Sequence, residues 1–279
     1  MVRHRTDTSD RFIQNARVGD YRIDDELRSE DTGLVYAATH LLLPRRAAVK
    51  VMHPAKAYLR SLAVQILREA CVLEALSHPG VPRVYECGVL ADKRPWVALE
   101  LIIGETIAEL GTSAPMAVGE VATMLRAAAD VLAHAHARGV VHNRLTDASI
   151  VCTPQRTTPF AVRGWGDVVA HDSNRAAAPH VDVQDLGLVA YRALTGQLMR
   201  EGDRVATLVP SAPRELTVLI DDMIARDPAA RPTAAEVVAR AATIAILEPP
   251  RTSTSELLRP DEDAPSRFSI RIRRSGTDG

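Results

Sequence analysis

Lysine is scarce in this 279-residue chain: of 34 basic residues only Lys50, Lys56 and Lys93 are lysines. Against so arginine-rich a background each lysine carries information. Cysteine is scarce too. Cys71, Cys87 and Cys152 are scattered, with neither the pairing of a disulfide framework nor the spacing of a metal knuckle, and they read as reduced, mostly buried thiols of a cytoplasmic protein. Excess charge is also missing. A formal net charge of -1 gives no global field to draw nucleic acid or a membrane surface. No run approaches the ~18 apolar residues that span a bilayer. The opening "MVRHRTDTSDRF" lacks the apolar core of a secretory signal. No internal repeat is visible.

What is present is ordinary globular material, 46% hydrophobic and 25% charged, enough for one large domain or two small ones. Residues 1–19 are polar and irregular and read as a mobile arm. From Tyr21 to about Ile103 the texture is strand-like: "YRIDDEL" and "LVYAATHL" alternate, and "AAVKVM" and "RPWVALELI" are short apolar runs. One helix interrupts them, "YLRSLAVQILREACVLEALS", with Leu62, Ile66, Leu73 and Leu76 at helical spacing. After Gly104 helices dominate. "VGEVATMLRAAADVLAHAHARG" closes on Gly139 as a helix C-terminus does, "VQDLGLVAYRALTG" and "PRELTVLIDDMIA" follow, and "PTAAEVVARAATIAIL" opens on Pro-Thr. Residues 248–279 are rich in Pro, Ser/Thr and charge and read as a disordered tail. Within the tail Phe268, Ile270 and Ile272 alternate with Ser269, Arg271 and Arg273, a pattern suited to strand addition on a partner. Its Ser/Thr residues near Arg are candidates for phosphorylation.

Seven short stretches stand in a meaningful order: "AVK" ending at Lys50; "REACVLEALSHP", containing Glu69; "VALELIIGETI"; "GVVHNRLTDASI"; "RGWGD"; "DVQDLGLVAYRALTG"; and "RDPAARPT". Together they resemble the eukaryotic-type Ser/Thr protein kinases of bacteria over roughly residues 20–247. The resemblance implies an α+β, bilobal fold: a small β-rich lobe with one helix, about 20–103, and a larger helical lobe, about 104–247. It implies a nucleotide cleft in which Lys50 pairs with Glu69. Val35, Ala48, Leu99 and Val151 would line the adenine slot, Glu100 and Ile102 belong to the hinge, and Gly33 is the surviving residue of a glycine-rich loop. Leu73, His142, Trp165 and Asp182 match the stacked internal column of that family.

Most departures fall on phosphoryl-transfer chemistry. In "LRSEDTGLVY" Arg28 and Glu30 replace two phosphate-loop glycines, and Asp31 adds a second carboxylate. Carboxylates there repel a triphosphate, with Arg28 a partial offset. Arg144 stands where the family has its catalytic Asp, and a guanidinium accepts no proton. Thr146 replaces a phosphate-facing lysine. Ser149 and Gly164 replace the two metal ligands, although Mg²⁺ favours carboxylates. "APH" replaces Ala-Pro-Glu, so Arg231 loses its expected carboxylate. Asp147 and Asp167 lie close enough to be substitute ligands, but each reads better as a solvated surface residue. His134 and His136 are two apart on a helix and do not share a face, so no metal site is expected. Lys50–Glu69 reads equally as a nucleotide clamp or as a structural ion pair. His142 reads as a core histidine bonded to backbone.

The expected function is that of a pseudokinase, an interaction or regulatory scaffold without catalysis. Two alternatives stay open: an unusual ATP-dependent Ser/Thr kinase, and a sensor that takes ATP or ADP without Mg²⁺. The expected partner is a protein, such as an active Ser/Thr kinase or a phosphopeptide-binding domain, with no nucleic acid and no membrane span.

Overall fold

The computed structural model describes residues 15–111, 114–167, 169–170 and 178–247. The expectations for the tail motif at Phe268–Arg273 and for most of the segment between Gly164 and His180 fall outside these residues.

The first part is an antiparallel six-stranded sheet in the order β1-β2-β3-β4-β6-β5. Its strands are β1 (Arg17–Val18), β2 (Tyr21–Ser29), β3 (Gly33–His40), β4 (Arg46–Met52), β5 (Val84–Val89) and β6 (Pro95–Glu100). β2 alternates in its first residues because one face meets solvent, whereas β3 and β4 are buried on both faces and read as apolar runs. Helix α1 (Arg60–Leu76) buries Ile66, Glu69, Ala70, Leu73 and Leu76, the i, i+3, i+4, i+7 stripe that faces the sheet. Glu69 is therefore a carboxylate on an apolar face, which demands a partner.

The second part is helical, built on α3 (Val118–His136), α4 (Pro179–Thr195), α6 (Arg214–Met223) and α7 (Ala234–Leu247), with one-turn helices α2 (Ile107–Leu110) and α5 (Val205–Leu208). α3 lies along α4 and α7, and its alanines at 122, 127, 128, 129 and 135 are buried, so small side chains let the helices approach. α2 opens on Thr106, whose hydroxyl accepts from the Glu109 amide while the Glu109 carboxylate accepts from the Thr106 amide. The chain crosses between the parts at Gly104. Its φ is +150°, and a Cβ there would lie 1.8 Å from the Cys152 carbonyl oxygen, so only glycine fits.

Several details differ from expectation. Arg17–Val18, inside the supposed arm, pairs with β2, and Val18 is fully buried. α4 starts at Pro179, ahead of the apolar repeat, because Pro supplies a helical φ at the first position. Two small ladders were not legible: β7 (Val140–Val141) with β10 (Val169–Ala170), and β8 (Ile150–Cys152) with β9 (Phe160–Val162). They are too short to show a period. The cysteines are not mostly buried. Cys71 and Cys87 are exposed, on the outer faces of α1 and β5, and Cys152 is half-buried, where burial pushes its thiol pKa up.

Candidate functional site

The site forms where the sheet meets the helical part, and Lys50 is its centre. Lys50 sits in the middle of β4, paired with Val35 on one side and Val97 on the other, and is only 3% exposed. Its Nζ lies 2.6 Å from Glu69 Oε2 and 2.8 Å from Glu30 Oε2. Glu30 also accepts from Arg28 Nε at 2.7 Å. Burial penalises the lysine's charge, but Glu69 and then Glu30 outweigh that penalty and hold its pKa above the ordinary value. Burial likewise pushes Glu30 up, and Lys50 with Arg28 more than reverses it. Both groups are charged near neutral pH. Glu30, Lys50 and Glu69 all face the same cleft, and Arg28 pairs with the Glu30 carboxylate.

A cavity of about 400 Å³ lies beside this cluster. Val35, Ala48, Leu73, Leu99, Glu100, Ile102, Gly164 and Trp165 line it, together with Arg28, Glu30, Lys50, Glu69 and Arg163. Two predicted members are not among its lining residues. Gly33 packs against β4, where a Cβ would come within 2.2 Å of the Val51 carbonyl oxygen, so close strand approach by itself requires a glycine here. Val151 is buried on β8, bridged to Thr106. Glu100 is paired with Arg156, which also donates to the Pro79 carbonyl.

Beyond Glu30 a second hollow of about 490 Å³ is bordered by Glu30, Asp31, Lys50, Arg144, Thr146, Ser149 and Gly164. Arg144 approaches Asp31 at 3.4 Å, linking the two lobes at the surface. The Thr146 and Ser149 hydroxyls lie 3.0 Å from each other. Gly164, at φ +87°, has open space toward Ser149 Oγ, 3.7 Å from where its Cβ would be. Among the described residues no group of three or more His, Cys, Asp and Glu side chains is placed to hold a metal. Mg²⁺ usually requires one or two carboxylates beside its phosphates. Ser149 and Gly164 supply none, so these residues do not fit the ion. Asp147 is no substitute and is not solvated as expected: it is paired with Arg192 and only 19% exposed. The Asp167 side chain falls outside the described set. His134 bonds the Leu76 carbonyl and His136 the Asp182 carboxylate, on different partners.

The internal column is assembled. The His142 and Trp165 rings meet edge to face at 4.7 Å, both residues fully buried. Trp165 Nε1 donates to the Val162 carbonyl, and His142 Nε2 lies 3.1 Å from the Arg163 carbonyl. Leu73 belongs to the same core. Asp182, with no exposed surface, accepts from the His142 and Asn143 amides at 2.8 and 2.7 Å and bonds His136 at 2.8 Å. Arg231, denied its expected carboxylate, donates instead to the Ala225 and His180 carbonyls.

Asp185, one turn on from Asp182, has its pKa raised to about 6 by burial and by the Asp182 charge. The folded chain keeps this proton after the unfolded chain, at the ordinary 3.8, has lost it. Stability attributable to Asp185 therefore falls as pH rises from about 4 to 6. Half-exposed groups are screened, so the loss is about 1–2 kcal/mol. Asp185→Asn is expected to flatten that slope and to melt higher than wild type at pH 7.5 but not at pH 4. Equal slopes in melts from pH 4 to 7.5 would contradict this.

No protein-family model matches the chain. Its sequence is 26% identical over 212 residues to the serine/threonine-protein kinase Pkn1 of Myxococcus xanthus, covering 67% of this chain and 30% of that protein. It is 26% identical over 267 residues to serine/threonine-protein kinase PknJ of Mycobacterium tuberculosis, covering 81% and 45%. The chain thus spans less than half the length of either relative. In three dimensions it matches the Mycobacterium tuberculosis PknI kinase domain with a TM-score of 0.67 at 23% identity, over 84% of this chain and 100% of that one. The fold is that of a protein kinase, and the chain is a relative of the bacterial eukaryotic-type Ser/Thr kinases.

Within this kinase fold, the Lys50–Glu69 pair and the column from Leu73 to Asp182 are brought together. Gln65 Nε2 reinforces them, bonding the Gly166 carbonyl at 2.6 Å and tying α1 to the Trp165 segment. Spacing marked neither Gln65 nor Arg163. No helix among the described residues is long and apolar enough to cross a membrane.

Proposed function

We propose that this kinase-fold chain is a pseudokinase, a module that works by binding and not by phosphoryl transfer. The observation that carries this reading is the sealing of Lys50 between Glu69 and Glu30. That lysine would otherwise hold nucleotide phosphates. The surrounding substitutions agree with it: a guanidinium at Arg144, engaged with Asp31, and no carboxylate at Ser149 or Gly164. The partner is a protein, and an active Ser/Thr kinase or a phosphopeptide-binding domain suits the tail's Ser/Thr-Arg composition.

The test is transfer of labelled phosphate from ATP, with Mg²⁺ or Mn²⁺, to the chain itself and to generic protein substrates. Signal is expected at background and unchanged in Lys50→Arg, which keeps the charge. Transfer that disappears in Lys50→Arg would establish the second reading, an unusual active kinase. That reading is favoured by the preserved 2.6 Å Lys50–Glu69 pair and by the kinase names of the relatives.

A further inference from the structure

The connection between β3 and β4 lies far from the rules of a surface turn. Turns are ordinarily polar, yet Leu41, Leu42 and Leu43 run together here, followed by Pro44, Arg45 and Arg46. Leu42 is 87% exposed and its two neighbours 45% each. A run of exposed apolar residues is a liability in water and marks a surface that something covers. The tip is nonetheless held in one shape. Leu41 donates its N–H to the Asp20 carbonyl at 2.9 Å, Leu42 and Leu43 both donate to His40 Nδ1, at 3.1 and 3.0 Å, and Arg45 donates to the Leu43 carbonyl at 2.7 Å. Pro44 has no N–H to satisfy. Every main-chain donor from Leu41 to Arg45 is thus bonded within the protein. A partner that pairs along the backbone would need those donors free. Hydrocarbon demands that they be closed, because an unbonded N–H there is costly.

The charge around the tip fits the same surroundings. The Arg45 guanidinium lies over the Tyr85 ring, 4.5 Å from its centroid. Arg46 opens β4 and Arg83 precedes β5, both exposed and at the same end of the sheet. None of the three has a carboxylate within ion-pair distance among the described residues. Of the carboxylates near this end, Asp20 is paired with Arg17, Asp24 with Arg22 and Glu100 with Arg156, which leaves Glu86. The chain's net charge of -1 gives no global field, but here arginine is locally in excess beside a convex apolar tip. Lipid phosphates attract such a cluster.

We infer that the Leu41–Leu43 tip is a docking knuckle for an anionic bilayer surface, entering the boundary between headgroups and acyl chains while Arg45, Arg46 and Arg83 meet the lipid phosphates. Such binding is shallow and reversible, since three leucines bury far less than a spanning segment. It stands apart from the reading of the cleft and holds whether or not the cleft transfers phosphate.

The experiment is co-sedimentation of the full chain with vesicles of phosphatidylcholine alone or of phosphatidylcholine mixed with phosphatidylglycerol. Binding is expected to the mixed vesicles, to weaken at high salt, and to fall on the order of tenfold in Leu42→Asp. Because the Leu42 side chain is in solvent, that variant should melt with wild type, so lost binding is not lost folding. In Leu42→Trp the added indole is expected to shift its emission to the blue on mixed vesicles and to be quenched by lipids brominated on their acyl chains. Trp96 and Trp165, 4% and 0% exposed, supply a constant background. No sedimentation with the mixed vesicles, equal binding by Leu42→Asp, or Leu42→Trp emission that vesicles leave unchanged overturns the inference. So does a protein partner that Leu42→Asp loses when the wild-type chain ignores vesicles. Equal binding to both kinds of vesicle overturns the role given to the arginines.

Discussion

Asp182→Ala is expected to lower the melting temperature by on the order of 10 °C. The fully buried carboxylate takes the main-chain N–H groups of His142 and Asn143 and the His136 ring. Alanine removes the acceptor and leaves those donors in a site that water does not reach. Breaking a buried, charge-assisted network in this way costs about 3–5 kcal/mol, and a domain of this size loses about 2–4 °C per kcal/mol. Asp182→Asn keeps one acceptor oxygen and should lose less. Calorimetric melts at pH 7.5 decide the matter: a loss below about 1 kcal/mol for Asp182→Ala would show that the column does not hold the helical lobe to its loop.

The second large effect is expected for Lys50→Met. Methionine fills the space of the aliphatic stem but leaves Glu69, 6% exposed, and Glu30 side by side without their shared cation. Removing one partner of a buried pair typically costs about 3–5 kcal/mol. The companion variant Lys50→Met with Glu69→Leu removes both charges and should recover more than half of that, because an apolar pair of similar volume is well tolerated in such a site. Denaturant titrations of wild type, the two single variants and the double variant form the cycle. A coupling energy near zero would mean that the ion pair is incidental to stability, and with it the sealing of the cleft that supports the inactive reading.

Much of this molecule was legible in one dimension. Strand and helix periods marked α1 from Leu62 to Leu76, α3 from Val118 and the buried runs of β3 and β4, because a face that packs must repeat at 2 or 3.6 residues. The order of short motifs located the cleft. The residue types at Arg144, Ser149 and Gly164 needed no structure to be read, since a guanidinium, a hydroxyl and a hydrogen atom cannot act as carboxylates wherever they point. The ladders β7–β10 and β8–β9 were not legible, because two or three residues carry no period.

The sequence by itself determined the fold class, the pairing candidates and the residue types at the motif positions; the tertiary structure alone decided what stands around them. Spacing showed Glu30 in the loop but not that its carboxylate turns 2.8 Å onto Lys50. It did not bring Arg163 and Arg28 to the wall of one cavity, send Arg231 to main-chain carbonyls, leave Gly33 and Val151 off that wall, or put Cys71 and Cys87 in solvent. The reason is physical. A local pattern reports which face of an element is buried, while the partner of a charged group lies on another element, as Gly166 lies 101 residues from Gln65. Only packing brings such groups within hydrogen-bond reach and out of water, where the pairing acquires its energy.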